Sequence, residues 1–304
     1  MNLFPAWAVR ALAAGAAFLA LCLPLAGRAG DAQPRVAFFF CETTPPIGHP
    51  LCGGWIKPLE AVDDPLLLKG ILLADRKEAY VICALDWCLL QTEAYDLFRQ
   101  KLAAAAGVPL SHVALQTVHQ HNAPIADAKA QRLLDSVSSS PRHLDLQFLE
   151  EVTDRAGVAV RAARERLRPF THVGFGSNRV ERFASNRRVR LADGKIRPRY
   201  SSTTDPALQA APEGLTDPWL RTVTLFDGEQ PLLRLHYYAT HPQSYYGDGR
   251  ATADTVGLAR DRFEREEGVP QIYFTGCAGD ITAGNTTTEV PPPALRSPPA
   301  CTTR

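Results

Sequence analysis

The chain holds one methionine, six lysines and no two cysteines spaced as CxxC. Without a CxxC pair, a structural zinc knuckle has no support. A P-loop and a GxSxG elbow are also missing, and Gly174-Phe175-Gly176 is not followed by the third glycine of a dinucleotide fingerprint. Charge of one sign is not in excess: 33 basic residues face 32 acidic ones, for a net +1. Twenty-seven of the basic residues are arginine, and no spacing gathers them into a stripe, so the electrostatic footprint of a nucleic-acid binder is absent. There is no internal repeat.

What is present is ordinary for a globular chain. Hydrophobic residues make up 45% and charged ones 21%, which excludes wholesale disorder. At roughly 150 residues per domain, 304 residues give one or two domains with room for a sizeable core.

The first thirty residues read as a targeting segment. Arg10 precedes an apolar run from Ala11 to Ala26, followed by a small-residue exit before Asp31. This is the pattern of a secretory signal peptide, and the run is short of the about 20 residues a membrane-spanning helix needs. The expectation is therefore a secreted or periplasmic protein. A retained N-terminal anchor is the alternative. Leu21 before Cys22 argues against a lipoprotein signal, which prefers a small residue there. Export permits disulfides among Cys41, Cys52, Cys83, Cys88, Cys277 and Cys301, but the sequence does not choose a pairing.

Beyond Asp31, apolar runs alternate with helical spacing. Val36–Phe40, Leu66–Leu73, Ala79–Leu85, Val113–Val118, Trp219–Phe226, Leu232–Tyr238 and Gln271–Thr275 read as strands. Thr92–Ala106, Leu144–Leu167 and Thr255–Glu267 read as helices, the first stopped by Gly107. Cys41–Pro58 is a Pro/Gly-rich loop. The expected fold class is α/β, a mixed sheet with flanking helices. Residues 31–285 form its domain. Residues 286–304, with five prolines in nineteen positions, form an extended Pro/Thr-rich tail.

Four short segments carry candidate chemistry. In His119-Gln120-His121, at the end of a strand, side-chain alternation puts both imidazoles on one face, where they suit zinc. His241-Pro242 also follows a strand, and the proline stiffens the backbone before it. Residues alone group His119, His121 and His241 around one zinc, with a position left for water. Gly279-Asp280-Ile281-Thr282 follows a third strand and offers the Thr282 hydroxyl as a nucleophile, with Cys277 as a rival thiol. Small residues there let backbone N–H groups approach an oxyanion. In Asn186-Arg187-Arg188, an arginine near zinc suits a carboxylate or oxyanion. Each segment taken alone also reads as an ordinary loop or turn.

Taken together and in order, the four segments resemble the neutral/alkaline (non-lysosomal) ceramidase family in its N-terminal catalytic part. His119-Gln120-His121-Asn122-Ala123-Pro124 resembles that family's His-Thr-His-Ser-Gly-Pro, and Asn186-Arg187-Arg188 its Asn-Arg-Ser. His241-Pro242-Gln243 resembles its His-Gly-Thr, and Gly279-Asp280-Ile281-Thr282 its Gly-Asp-Val-Ser. The resemblance covers about Val36 to Asn285, with shorter secreted relatives the nearer match. It implies a Zn²⁺ cofactor held by His119 and His241. His121 moves off the metal to sit beside the substrate carbonyl, Arg187 assists the oxyanion, and Thr282 stands in the place of the nucleophilic serine. It further implies a hydrolase of linear amides such as N-acyl sphingoids, with a lipid amide as partner, no nucleic acid, and peripheral membrane contact. Two departures stand out. Thr282 adds a methyl to the hydroxyl-bearing carbon. The family's Glu and Tyr zinc ligands, which lie beyond the nucleophile loop, find no counterpart, since Tyr273 is the last tyrosine and Glu289 the only later glutamate. The site is thus expected to be C-terminally incomplete, and an exported non-enzymatic protein of the same fold is the alternative function.

Overall fold

The structure, a computed structural model, describes residues 33–283. The signal-peptide and Pro/Thr-rich-tail readings therefore lie outside the described residues. Two sheets stack face to face, and their contact decides where the strand ends meet.

The first sheet is built from β1 (Arg35–Glu42), β2 (Leu67–Ala74), β3 (Ala79–Leu85) and β4 (Val113–Thr117), in the order β4-β3-β2-β1 with Arg168–Pro169 at the β1 edge. β1, β2 and β3 run antiparallel to their neighbours, whereas β3 and β4 are parallel. Helix α1 (Thr92–Ala106) makes that parallel crossover. It ends where Gly107 adopts φ +69°, a left-handed cap at no steric cost. Short α2 (Ala128–Asp135) and long α3 (Leu146–Arg164) follow, each opened by an aspartate side chain, Asp127 and Asp145, that accepts a backbone N–H of the first turn.

β1 explains the layering. Ala37 and Phe39 point into a core shared with Phe98, Leu102, Phe148 and Val152 of α1 and α3. Val36 points the other way, into a core with Leu225, Leu233, Leu235 and Ile272 of the second sheet. A strand buried on both faces reads as a continuous apolar run rather than an alternation, as Val36–Phe40 does.

The second sheet contains β5 (His172–Arg179), β6 (Trp219–Asp227), β7 (Gln230–Tyr238) and β8 (Gln271–Thr275), ordered β8-β7-β6-β5. β6 and β7 form a hairpin, turned at Gly228 with φ +56°. β7 and β8 are parallel, joined through α4 (Asp254–Glu267). The mixed α/β architecture with flanking helices is as expected, and α1 and β8 occupy the expected residues. β5 escapes the sequence because it is an exposed edge strand with two glycines and no apolar alternation. Among the described residues no helix is long and apolar enough to cross a membrane.

α4 is fastened to the first sheet by charge. Arg260 donates Nη1 and Nη2 to the two carboxylate oxygens of Asp86, at 2.8 and 3.0 Å, with side chains 3% and 0% exposed. Asp86 also accepts the Leu67 N–H at 3.0 Å. Lys69 of β2, buried too, reaches Asp261 and Glu264 of the same helix. Removing one partner of such a pair strands a charge without water, whereas replacing both by apolar groups removes the desolvation cost as well. Arg260→Met is expected to lower stability by about 3–5 kcal/mol. Asp86→Leu/Arg260→Met together should recover most of it, read by urea unfolding of both variants.

Candidate metal centre

Three histidines reach one point from two strand exits. Val118 and His119 extend the parallel pairing of β4 by donating to the carbonyls of Leu85 and Trp87. His119 then takes φ +78°, a left-handed conformation rare for a side chain of its size. Simple strand alternation is therefore not what gathers the first two rings, because the chain turns at His119 instead of running on extended. His241 arrives from the end of β7. The two exits are stitched together: Thr275 of β8 donates its hydroxyl to Val118 O at 2.7 Å, and Gln116 of β4 donates Nε2 to Thr275 O at 2.6 Å.

The ring centroids of His119, His121 and His241 lie 4.6–5.1 Å apart, all in edge-on arrangements. His119 Nδ1 is 2.6 Å from Cys88 O, and His241 Nδ1 is 3.4 Å from Ala278 O. A ring that donates Nδ1–H to a carbonyl keeps its Nε2 lone pair free, which is the usual preparation of a metal-ligating histidine. His121 Nε2 lies 2.8 Å from His241 Nε2, and the buried Nδ1 of His121 has no hydrogen-bond partner. Cys88, His119 and His121 also form a possible Cys/His/His metal group, their ligand atoms lying within 4.8 Å of one another. The Cys88 thiol, however, sits 3.8 Å from His119 Nδ1, the nitrogen already committed to the Cys88 carbonyl. The histidine set is thus the better cradle: ring nitrogens of His121 and His241 that meet each other at 2.8 Å, with the orphaned buried Nδ1 of His121, fit a borderline cation such as zinc.

Electrostatics keep the His121 and His241 rings neutral. Burial, then the neighbouring His241, His119 and Arg187, push His121 down to about 3. Burial, then Arg187 and His119, push His241 down to about 4. Neutral imidazole is the form that binds metal.

The Asn186-Arg187-Arg188 and Gly279–Thr282 segments form one unit. The short strand Ala184–Asn186 pairs antiparallel with Ile281–Ala283, placing Ser185 opposite Thr282. Arg187 N donates to Asp280 O, and the Asp280 carboxylate takes bonds from Asn186 Nδ2 and Arg188 Nη1. Asp280 is therefore a clamp on this turn. Arg187 donates Nη2 to Gln243 at 3.0 Å, stacks over Tyr200, and keeps a buried Nε without a partner. Thr282 is fully buried, its hydroxyl making a long 3.5 Å bond to Ala283 O and, among the described residues, none to a histidine.

No protein-family model and no curated protein matches this chain. Solved structures do, two of them as follows. The neutral ceramidase from Pseudomonas aeruginosa aligns with a TM-score of 0.62 at 16% identity over 83% of this chain, and a structure described as ceramidase complexed with C2 aligns with 0.63 at 15% over 83%. The chain has a ceramidase-like fold. It spans about two-fifths of the length of those structures, 40% and 39% respectively.

Several residues that shape the surroundings of the histidines carry little signal in the sequence. Tyr246 places its ring 5.6 Å from that of His121. Asn122, next to His121, is buried and bonds Asp248, Arg250 O and Gly247 N, tying the His121 loop to the loop after His241. Arg199 is fully buried and donates to five backbone carbonyls, among them Asn186 O. The Tyr245-Tyr246-Gly247-Asp248-Gly249 run so soon after His241 was the available signal; nothing local marks Arg199.

The depressed histidines have a measurable consequence in metal-free protein. Unfolded histidine titrates near 6.5, so below that pH the unfolded chain takes up protons that the folded rings refuse. Stability is therefore full above about pH 6.5 and falls as pH drops toward 4, by up to about 1.4 kcal/mol per pH unit for each such ring. His121→Asn should flatten the decline by about one proton between pH 6.5 and 5, read from urea denaturation of wild type and variant. Parallel curves would contradict the assignment.

Proposed function

We propose that this protein is an exported zinc-dependent hydrolase of linear amides, ceramidase-like in its chemistry, with an N-acyl sphingoid or a related lipid amide as substrate. The observation that carries the reading is the convergence of three histidines beside Arg187 on a ceramidase-like fold. His119 and His241 would hold the metal, their Nδ1 atoms oriented by the Cys88 and Ala278 carbonyls. Zinc, when bound, would supply Lewis acidity toward a carbonyl or a hydroxyl.

The protein's own groups complete the chemistry. Arg187 offers an unpartnered Nε–H and a guanidinium whose charge burial disfavours, which a developing oxyanion beside it would offset. His121 keeps Nδ1 free and neutral at pH 7, so it is able to take a proton from an attacking hydroxyl and return it to the leaving amine. Thr282 Oγ1 is the hydroxyl that the family resemblance assigns to attack the amide carbon. Exposed Trp55, Tyr200 and Tyr246 support peripheral membrane contact.

A second reading has its own support. Thr282 is fully buried and makes no bond to the histidines, the arrangement expected of an exported protein that retains the fold without hydrolysis. Zinc titration and amide hydrolysis separate the two. One zinc should bind per chain, His119→Ala or His241→Ala should weaken it by at least 100-fold, and Arg187→Ala should leave zinc in place while lowering amide turnover by about 100-fold. Zinc content unchanged by His119→Ala would sink the metal assignment. Zinc bound without turnover would favour the second reading.

A further inference from the structure

Among the described residues, the cysteines resolve into one neighbouring pair and isolated thiols. Cys41 on β1 and Cys83 on β3 stand on either side of β2, Cys41 opposite Leu68 and Cys83 opposite Gly70. Two strand spacings of about 4.8 Å put their backbones beyond disulfide reach. Cys277 is exposed in the loop after β8. Cys52 and Cys88 differ from all of these. Both are buried, and they share one small apolar cluster with Ile125.

Their backbones are pinned to adjacent points of one segment. Cys52 N donates to Ala123 O at 2.8 Å, and Cys88 N donates to Pro124 O at 2.9 Å. That segment is the one that leaves His121. Cys52 also opens a turn of three left-handed residues, with φ of +45° at Cys52, +68° at Gly53 and +84° at Gly54. A cysteine holds such a conformation only where its surroundings impose it. Gly53 permits the turn because a Cβ there would meet the His143 ring at 2.7 Å.

We propose that Cys52 and Cys88 are a redox pair that closes into a disulfide and welds the Cys52-Gly53-Gly54 turn to the residue whose carbonyl orients His119. The oxidant is a small-molecule or protein disulfide. The Cys52 thiolate attacks one of its sulfurs and releases the other as a thiol. Cys88 then attacks the Cys52 sulfur of the mixed disulfide, loses its proton, and expels the second thiol. Two protein thiols are oxidised and one disulfide is reduced. The crosslink closes the loop between residues 52 and 88, which removes conformational freedom from the unfolded chain, and it holds the Cys88 carbonyl at the back of the histidine site. The pair stands whether or not the site binds zinc or hydrolyses amides.

The test uses the full chain and oxidised glutathione, with thiols alkylated under denaturing conditions and counted by intact mass. Trypsin leaves Cys41 with Cys52 on one peptide and Cys83 with Cys88 on another, so the Cys41→Ser/Cys83→Ser protein serves as the decisive control. Oxidation should remove two alkylatable thiols, join those two peptides in wild type and control alike, and raise the Tm by about 5 °C or more. Cys52→Ser should abolish the crosslink. If Cys52 and Cys88 both remain alkylatable, or if the crosslink disappears from the Cys41→Ser/Cys83→Ser protein, the proposal is overturned. If a variant fails to fold, cleavage of the wild type after Glu42 and before Asp86 separates Cys41 from Cys52 and Cys83 from Cys88, so the joined peptides still decide the matter.

Discussion

The site depends on a short seam between two sheets. Thr275 donates to Val118 O while Gln116 donates to Thr275 O, so the end of β4 and the end of β8 are locked side by side. β4 is itself parallel to β3, and β8 is parallel to β7. Four C-terminal strand ends therefore open toward the same region, and the loops that leave them carry Cys88, His119, His121, His241 and the Gly279–Thr282 turn. In parallel α/β architecture, such carboxyl ends are where ligand sites are assembled. The seam makes this arrangement two-sided, one half from each sheet, and each half alone would present one or two isolated histidines.

Nearby acids are spent on scaffolding, which sets the character of the site. Asp280 is bonded to Asn186 and Arg188. Asp248 holds Asn122, and Asp254 accepts the backbone N–H groups of Ser244 and Tyr245. Asp86 is paired with Arg260. Around the rings this leaves neutral imidazoles and the guanidinium of Arg187. Like charges would repel if the rings protonated, and burial adds to that cost, so the same arrangement that depresses their basicity keeps their lone pairs available. A site of this kind favours a cation bound by nitrogen and, beside it, an anionic oxygen facing Arg187.

Much of the frame was legible because its signals are local. The apolar runs of β1 and β8 and the Gly107 cap of α1 each state their structure within a few residues. The four chemical segments were legible for the same reason. Their convergence was not, because it rests on contacts far apart in the chain: Thr275 with Val118, Asn122 with Asp248, Arg199 with the carbonyls around Asn186. The turn at His119 is also instructive. Alternation along an extended segment brought the two histidines together on paper, yet the left-handed backbone at His119 gathers them by another route. The cysteines show the opposite case. Sequence left their pairing open, and strand order alone removes Cys41 with Cys83.

Arg187 and Thr282 are best understood as one mechanical element. Their two short strands are paired residue for residue, Ser185 opposite Thr282 and Asn186 opposite Ile281. Asp280 clasps the turn from one side, and the buried Arg199 guanidinium ties Asn186 O to the carbonyls of residues 208–213 from the other. A movement that brings the Thr282 hydroxyl toward the histidines must therefore carry the Arg187 backbone with it. The threonine methyl tightens this coupling, since a β-branched side chain in a fully buried strand has little freedom to turn alone. The Arg187 guanidinium and the Thr282 hydroxyl are thus held as a pair, set by one short ladder rather than by two independent loops.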